Sequence, residues 1–476
     1  MNDQAIRFRA ITIISTSFAL LISLFLQVPA ASAIPSYARQ TGFPCKSCHY
    51  TPPELTPLGR AFKLNGYTMA GKPTVTSPGK GNQGALNILE SFPLSVLFDT
   101  AFTSLRSPQP VVQTGGTLTS QNGSFQFPED ASLFLAGAWS THVGSFVQVT
   151  YSSQNDHFTW DNSDIRYANS TKLFKKDLAF GITLNNNPTV EDLWNSTPAW
   201  GFPWVNSDWA PTPNAGAIIN GGLAQDVAGI GGYAMWNNHL YIAGTIYRSA
   251  HIGAPLPNAG VDATGTVPLS INIRGVAPYW RVAWQQTSKN NYLEVGSYGI
   301  HMKSTPGSVT TGVTGLEDSY TDWAADFQYD RTIPQFRGDV LSIRGTYIRE
   351  NSALLATASI PVNPGAAFVP HHLNTVQANA EYHFGDKYSG TIGYFNVTGT
   401  PDPLLFPAGP VTGNANGDPR SNGVIANVSW WPVQNIGLTF QYTGYTRFNG
   451  AGTNYDGAGR TAGSNNTIYL LARFVF

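Results

Sequence analysis

The chain has 476 residues and a formal net charge of −1, so its charge gives no reason to expect nucleic acid or another polyanion as a partner. Only 12% of the residues are charged, about half of the usual share of about 25%. With 48 Gly, 12 Trp, 21 Tyr and 26 Phe, the composition suits a soluble β-protein or a membrane β-barrel whose outer wall faces lipid.

Residues 1–33 have the features of a secretory signal peptide. Arg7 and Arg9 precede an apolar run over residues 11–26, and Ala31-Ser32-Ala33 provides a small-residue cleavage site. The alternative is an N-terminal membrane anchor. No later segment offers the ~18 consecutive apolar residues that a spanning helix needs. The sequence therefore predicts an exported chain whose mature form begins near Ile34.

Residues 45–49 read Cys-Lys-Ser-Cys-His and contain the only two cysteines of the chain. This spacing is typical of c-type haem attachment, because two thiols can add to the two vinyl groups of one haem while the next residue, His49, ligates the iron. Three alternatives are a redox dithiol, half of a zinc site and a structural disulfide. A redox dithiol would be expected inside a βαβ pattern, which is missing here. A zinc site would need a second pair of ligands at a suitable spacing. A disulfide between residues this close would give little stabilisation.

The sequence does not identify the second axial ligand of such a haem. Met69 is the nearest methionine after His49, and Met/His ligation would raise the reduction potential. The alternatives are the remaining histidines, at positions 142, 157, 239, 251, 301, 371, 372 and 383. We interpret residues 34–85 as a monohaem cytochrome c segment that is periplasmic or plugs the lumen. It is too short for a complete soluble cytochrome, so we expect a barrel to cover the haem.

From about residue 86 the apolar residues recur with period two, which predicts β-strands. Residues 320–330 show this clearly, since Trp323, Phe327 and Tyr329 alternate with Asp322 and Asp326. We predict sixteen strands, near residues 88–103, 131–141, 143–153, 163–173, 177–185, 229–237, 239–250, 277–287, 291–303, 321–332, 338–350, 372–385, 387–398, 421–432, 435–447 and 466–476. The predicted fold is all-β, an outer-membrane antiparallel barrel over residues 86–476 preceded by the short haem segment.

The connections alternate between short turns, such as 288–291, 384–387 and 432–435, and long loops, of which 186–228 is the longest. Short turns on one rim and long loops on the other are typical of outer-membrane barrels, and closure removes exposed strand edges. The chain ends at Phe476 on an alternating strand. If the long loops face outward, both chain ends lie on the periplasmic side.

Several charged residues fall on the predicted lumen face: Asp322, Asp326, Asp330, Arg344, Glu381 and His383. They predict either a solvated polar wall or a surface that attracts cations near a redox site. The loop 185–211 carries Trp194, Trp200, Trp204 and Trp209, and it would either constrict the pore or contact an electron donor through Glu191 and Asp192. No cluster of carboxylates at a spacing typical of a ferrous site is evident.

Residues 35–67 resemble the N-terminus of bacterial outer-membrane fused monohaem cytochrome–porins of the iron-oxidising type. The matching stretches are "ARQTG" at 38–42, "PELTPLGRAFKLNGY" at 53–67 and a following barrel that ends in Phe. The resemblance implies one covalent haem c on Cys45 and Cys48, with His49 as iron ligand. It implies transfer of electrons from extracellular Fe(II) to a soluble periplasmic carrier, so that an iron oxidase activity is one hypothesis.

Two other functions fit the same parts. One is a porin or channel whose haem segment is a plug or sensor, and the other is an outward electron conduit to external acceptors. The sequence sets neither the donor nor the direction of electron flow.

Overall fold

The computed structural model describes residues 35–68, 75–77, 86–88, 93–113, 116–119, 122–154, 156–195, 202–249, 272–305, 316–336, 338–358 and 370–476. The predicted signal peptide at 1–33, the candidate ligand Met69 and His251 lie outside these residues. Within them, no helix is long and apolar enough to cross a membrane.

Sixteen long antiparallel strands form one closed barrel, which confirms the predicted fold class and strand number. They are β1 Leu94–Leu105, β2 Ser124–Ala138, β3 Val143–Ser152, β4 His157–Leu173, β5 Lys176–Asn185, β6 Val227–Trp236, β7 Leu240–Ser249, β8 Ala277–Ser288, β9 Asn291–Thr305, β10 Asp318–Ile333, β11 Asp339–Leu354, β12 His371–Phe384, β13 Tyr388–Gly399, β14 Ser421–Val433, β15 Ile436–Arg447 and β16 Thr467–Val475. The ring closes where β16 pairs with β1, from Thr467↔Leu105 to Val475↔Leu97.

The described residues outside the sixteen strands form short elements. The helices are α1 Pro35–Thr41, α2 Cys45–Cys48, α3 Pro57–Leu64, α4 Pro188–Glu191 and α5 Leu355–Ala358, with 3-10 turns at Pro334–Phe336 and Ala462–Asn465. The short strands are Val75–Ser77 paired with Leu86–Ile88, Pro110–Gln113 paired with Gly116–Thr119, and Asn272–Ile273 beside β9.

Residues that alternate between apolar and polar in the sequence alternate between the outside and the inside of the barrel. On β8, Trp280, Val282 and Trp284 are exposed on the outside, whereas Arg281 and Ala283 are buried inside. Other outward positions around the ring are Ile182, Ile230, Ile242, Val295, Phe327, Val428 and Leu470. An apolar outer wall around a polar interior is the arrangement of transmembrane β-barrels.

One rim of the barrel carries the short connections, including those between β8 and β9, β12 and β13, and β14 and β15. The first strand begins at Leu94 and the last ends at Val475 on this same rim, where Leu97 pairs with Val475. We call it the short-turn rim. The long connections, among them 186–226, leave from the opposite rim.

Residues 35–68, the N-terminal segment, lie inside the barrel and contact its wall on several sides. Tyr67 donates a hydrogen bond to Asp164 of β4 at 2.7 Å, and Arg344 of β11 donates to Glu54 at 2.7 Å. The backbone amide of Cys45 donates to the side chain of Gln434, in the turn between β14 and β15, at 3.1 Å. The segment therefore spans the lumen.

The described parts of the 186–226 connection also fold inward. Trp194 is fully buried, and the backbone amide of Ile219 donates to Asp322 of β10 at 2.9 Å. Because both segments cover the wall, its charges have little contact with water. Arg281, for example, is 1% exposed and pairs with Glu294 at 3.1 Å and Asp326 at 2.8 Å.

If the outer wall of the barrel faces lipid, a charge halfway along β8 must be costly. We expect Val282→Arg to lower the free energy of unfolding by about 2–4 kcal/mol, and Gln286→Arg, on the same face nearer the short-turn rim, by about 0–1 kcal/mol. Urea unfolding in lipid vesicles, followed by tryptophan fluorescence, measures both. Equal losses at the two positions would contradict a lipid-facing wall.

Candidate functional site

Helix α2 consists of the single turn Cys45–Cys48, which places the two cysteine side chains on one face because residues three apart in a helix are neighbours. Cys45 is buried and Cys48 is half-buried. Both cysteines lie within the described residues, and no disulfide joins them. His49 ends the turn, and its backbone amide donates to the Cys45 carbonyl at 2.9 Å.

Helix α3 holds this turn from one side. The hydroxyl of Thr56, the N-cap of α3, donates to the Ser47 carbonyl at 2.6 Å and accepts from the Gly59 amide at 3.2 Å. The Thr56 amide donates to the Cys48 carbonyl at 2.9 Å. A Cβ at Gly59 would lie 2.2 Å from that same carbonyl oxygen, so only glycine allows the two helices to approach this closely.

The His49 ring is held as expected of a neutral metal ligand. Its Nδ1 lies 3.3 Å from the Glu54 carbonyl oxygen, to which a protonated Nδ1 would donate. Burial lowers the pKa of His49 to about 4, although contacts with the Glu54 and Pro53 carbonyls partly oppose this shift. A neutral imidazole with Nδ1–H on a carbonyl keeps the lone pair of Nε2 for a metal, as in many metal-binding histidines.

Cys45, Cys48 and His49 line one cavity of about 940 Å³, which begins at the short-turn rim, at Gln434, and reaches Thr150 and Asp161 near the opposite ends of β3 and β4. Its size lies in the range of roughly 300–1,000 Å³ that is common for small-molecule and cofactor sites. Apolar side chains form much of the wall: Phe43, Leu58, Phe62, Phe134, Phe146 and Val433. Leu58 is 39% exposed although it lies inside the barrel, so the cavity presents apolar surface to its contents.

These residues fit a c-type haem. The site offers two thiols on one helical face, a neutral imidazole directly after them and an apolar space between the segment and the wall. Cys45 and Cys48 would carry the thioether bonds and His49 the iron, with aromatic side chains around the macrocycle.

Of the histidines predicted as second ligands, His142 is the one among the described residues that lines this cavity. It lies in the turn between β2 and β3, and its Nδ1 is 3.0 Å from the Ala168 carbonyl oxygen, the same arrangement as at His49. The other described histidines lie elsewhere: His157, His239, His301, His371, His372 and His383. Met69 stays a prediction, since it is outside the described residues.

Glu191 and Asp192, predicted as contacts for an external donor, are each 1% exposed inside the lumen. Glu191 accepts hydrogen bonds from Thr245 and Tyr247, and Asp192 pairs with Arg281 at 2.9 Å. Burial raises the pKa of Glu191. The expectation of an exposed donor contact is therefore wrong for both, because the connection that carries them folds into the barrel.

The four tryptophans of this connection are not equivalent. Trp194 is buried in the lumen, where it donates to the Tyr292 hydroxyl at 2.5 Å, and Trp204 lines the haem-sized cavity and donates to Glu381 at 3.3 Å. Trp209 contributes its carbonyl oxygen to a hydrogen bond from Gln109. Trp200 lies outside the described residues.

The six charged residues predicted on the lumen face are all buried inside the barrel: Asp322, Asp326, Asp330, Arg344, Glu381 and His383. Three of them, Arg344, Glu381 and His383, meet Glu54, a residue that sequence reasoning did not connect to them. Glu54 of the N-terminal segment lies beside Glu381 and His383, with their ligand atoms within 4.8 Å of one another. No such cluster is visible in the sequence, because it forms only in the folded chain, between the segment and the wall.

No protein-family model matches the chain, and no curated protein matches it. Solved structures similar to it include the outer membrane channel DcaP of Acinetobacter baumannii, with 12% identity and a TM-score of 0.45, covering 80% of this chain and 96% of that one. The anion-selective porin from Comamonas acidovorans has 11% identity and a TM-score of 0.42, covering 80% and 98%. OmpT of Vibrio cholerae has 12% identity and a TM-score of 0.41, covering 82% and 99%.

The close approach of α3 to the cysteine turn gives a direct test. We expect Gly59→Ala to destabilise this packing by about 1–3 kcal/mol, as overpacking of a filled site does. Alkylation of buried Cys45 in haem-free protein should then become roughly 5–150-fold faster, since 1.4 kcal/mol corresponds to a factor of ten. Gly216→Ala is the control, because a Cβ there meets nothing within 4 Å. Equal alkylation rates in both variants would contradict the packing described.

Proposed function

We propose that this chain is an outer-membrane β-barrel that holds one covalent c-type haem in its filled lumen and carries electrons between the two sides of the membrane. Following the cytochrome–porin resemblance, the donor is extracellular Fe(II) and the acceptor is a soluble periplasmic carrier. The observation that carries the proposal is the cavity at the short-turn rim, because the Cys-x-x-Cys-His turn forms part of its wall.

The apolar outer wall supports a place in a lipid bilayer, and the alternation of short turns with long loops supports the outer membrane in particular. Short turns of such barrels face the periplasm. The cavity would then open toward the periplasm, where a soluble carrier can reach it. Lys387 and Gln434, which line the cavity, belong to two of these short turns.

Each residue of the site has a distinct role in this proposal. Cys45 and Cys48 attach the haem, so that an exported protein cannot lose it, and His49 ligates the iron. The haem supplies one-electron redox chemistry at its iron. The Glu54 carbonyl orients the His49 ring, and Phe62, Phe134 and Phe146 are among the side chains that would keep water from the macrocycle.

Iron chemistry explains why the electron must travel while the metal stays outside. Each Fe(II) that gives up one electron becomes Fe(III), which is poorly soluble. It would precipitate in the periplasm if oxidation took place there. The filled lumen supports this arrangement. Arg166 and Arg281 on the wall are 0% and 1% exposed, so protein fills the lumen around these two side chains.

A solute channel is the second candidate, because the closed barrel is the architecture of porins. In this reading the N-terminal segment is a plug or sensor. The burial of wall charges by the segment and by the 186–226 connection argues against free passage of solutes in the state described.

Covalent attachment is tested on a haem-stained denaturing gel of the outer-membrane fraction. We expect the wild type to stain, the double variant Cys45→Ala/Cys48→Ala to lose the stain completely, and Lys46→Ala, between the two cysteines, to keep it. Purified protein in lipid vesicles should then show its haem bands reduced by Fe(II).

An unstained wild type would overturn the haem. Stained protein that Fe(II) does not reduce would overturn the proposed donor. In planar bilayers we expect little conductance from the wild type; steady open-pore conductance without reduction by Fe(II) would favour the channel function instead.

Among the described histidines, His142 is the one that lines the same cavity as His49, so we propose it as the second axial ligand. We expect His142→Ala to change the visible spectrum of the haem protein to that of a species lacking one axial ligand, while Met69→Ala leaves it unchanged. A redox titration adds a second readout, since Met/His ligation gives a higher potential than ligation by two histidines. The reverse pattern of spectra would assign the position to Met69.

A further inference from the structure

Three buried side chains meet where the N-terminal segment touches strand β12. Glu54 is 0% exposed, Glu381 1% and His383 5%. Nε2 of His383 lies 3.6 Å from Glu54 Oε2 and 3.7 Å from Glu381 Oε1. The three donor atoms thus surround one point between the segment and the wall.

These separations are too long for hydrogen bonds, which lie near 2.7–3.2 Å for nitrogen and oxygen. Glu54 Oε2 and His383 Nε2 have no hydrogen-bond partner at all, although both atoms are buried. Buried polar atoms almost always have a hydrogen-bond partner. A ligand bound between Glu54 Oε2 and His383 Nε2 would supply one to both atoms.

Other contacts hold both carboxylates in place, and one of them is made to Glu381 Oε1, the atom that faces His383. Arg344 donates to Glu54 Oε1 at 2.7 Å, Thr51 donates to Glu381 Oε1 at 2.8 Å, and Trp204 donates to Glu381 Oε2 at 3.3 Å. Tyr50 stacks on the His383 ring at 5.1 Å. Metal ligands are commonly oriented by such outer partners. Two carboxylates face one guanidinium here, so with a neutral His383 one negative charge is left for a cation.

We propose that Glu54, Glu381 and His383 bind one divalent first-row transition-metal ion. Ligand nitrogen and oxygen atoms lie about 2.0–2.2 Å from such ions. Two ligands at that distance and at the tetrahedral angle of about 109° are roughly 3.3–3.6 Å apart. The two separations from His383 Nε2, 3.6 and 3.7 Å, lie at or just above the upper end of this range. One imidazole and two carboxylates without thiolate suit Fe(II), Mn(II), Co(II) or Zn(II) and disfavour Cu(I).

The ion would join the N-terminal segment to the wall, since Glu54 belongs to the segment and the other two ligands to β12. Glu54 also faces His49, because its carbonyl oxygen is 3.3 Å from His49 Nδ1. One residue, Glu54, would therefore link a redox-active ion at this site to the haem ligand His49, through its side chain and its backbone carbonyl respectively. That extension rests on the proposed function, whereas metal binding itself does not.

Zn(II) is the probe of choice because it has no redox chemistry. The full-length protein is unfolded, and its thiols are blocked by S-methylation so that Cys45 and Cys48 cannot bind zinc. It is then refolded with Zn(II), since the buried ligands are not expected to exchange quickly, and dialysed. Elemental analysis should find one zinc per chain. Because an ion that binds only the folded state stabilises it, the thermal midpoint should rise with zinc concentration.

Glu381→Gln and His383→Gln should each weaken zinc binding at least tenfold and abolish the shift in midpoint. Thr51→Val, which removes only an outer partner, should weaken it about 10–100-fold and keep the fold. Glu129→Gln is the matched control, because this lumen carboxylate is equally buried, at 1% exposure, and lies on β2. It should bind zinc like the wild type.

The proposal is overturned if the wild type retains no zinc, or if Glu381→Gln, His383→Gln and Glu129→Gln retain equal amounts. In the first case the three residues form an ion pair only, with His383 protonated between the carboxylates. Heat-modified gel mobility shows which variants have formed the barrel, and Thr51→Val gives an answer if the ligand variants fail to fold. Zinc content does not depend on haem staining, so this proposal and the haem proposal can fail separately.

Discussion

The structure depends on one constraint: the charged side chains on the inner wall of the barrel are buried, and each must therefore be paired with another protein group. Strand alternation places apolar residues toward the outside and therefore directs Asp, Glu and Arg inward. A buried charge without a partner is costly, and breaking a buried pair from one side costs about 3–5 kcal/mol. The N-terminal segment supplies part of what the wall needs: Glu54 pairs with Arg344, and Arg60 lies 3.5 Å from Asp330.

The same contacts position the cysteine turn. Lys63 of α3 donates to the Asp192 carbonyl at 2.6 Å, and Tyr67 donates to Asp164, so the end of the segment is attached to the middle of the lumen. Burial lowers the pKa of Lys63 to about 7, with nearby Arg166 acting in the same direction. With α3 held there, its tight packing against α2 leaves Cys45, Cys48 and His49 at the short-turn rim. The cavity arises between this attached segment and the wall.

The strands could be predicted from the sequence because their cause is local. Alternation at Trp280, Val282 and Trp284 is visible in five residues, and all sixteen strands were found within a few residues of their observed bounds. The most displaced beginnings are those of β1, β2 and β4, where Leu94, Ser124 and His157 replace the predicted starts at 88, 131 and 163. The Cys-x-x-Cys-His turn was equally visible, because its chemistry is carried by five consecutive residues.

What could not be predicted depends on long-range packing. The inward course of the 186–226 connection, which buries Glu191 and Asp192, is decided by wall charges far away in sequence. His142 looks like an ordinary turn residue until the cavity is seen. Part of the cluster of Glu54, Glu381 and His383 is visible in the sequence, because positions 381 and 383 lie on the same face of one strand. Its third member, Glu54, could not be predicted, because it comes from the other end of the chain.

The closure of the ring between β1 and β16 has a consequence for how the protein is made. The segment that occupies the lumen is synthesised before any strand, and the strand that completes the ring is synthesised last. An empty ring would leave Arg344 and Asp330 without the partners that Glu54 and Arg60 provide. Occupancy of the lumen and closure of the ring therefore stabilise each other, so we expect the barrel to close stably only once the N-terminal segment has entered it.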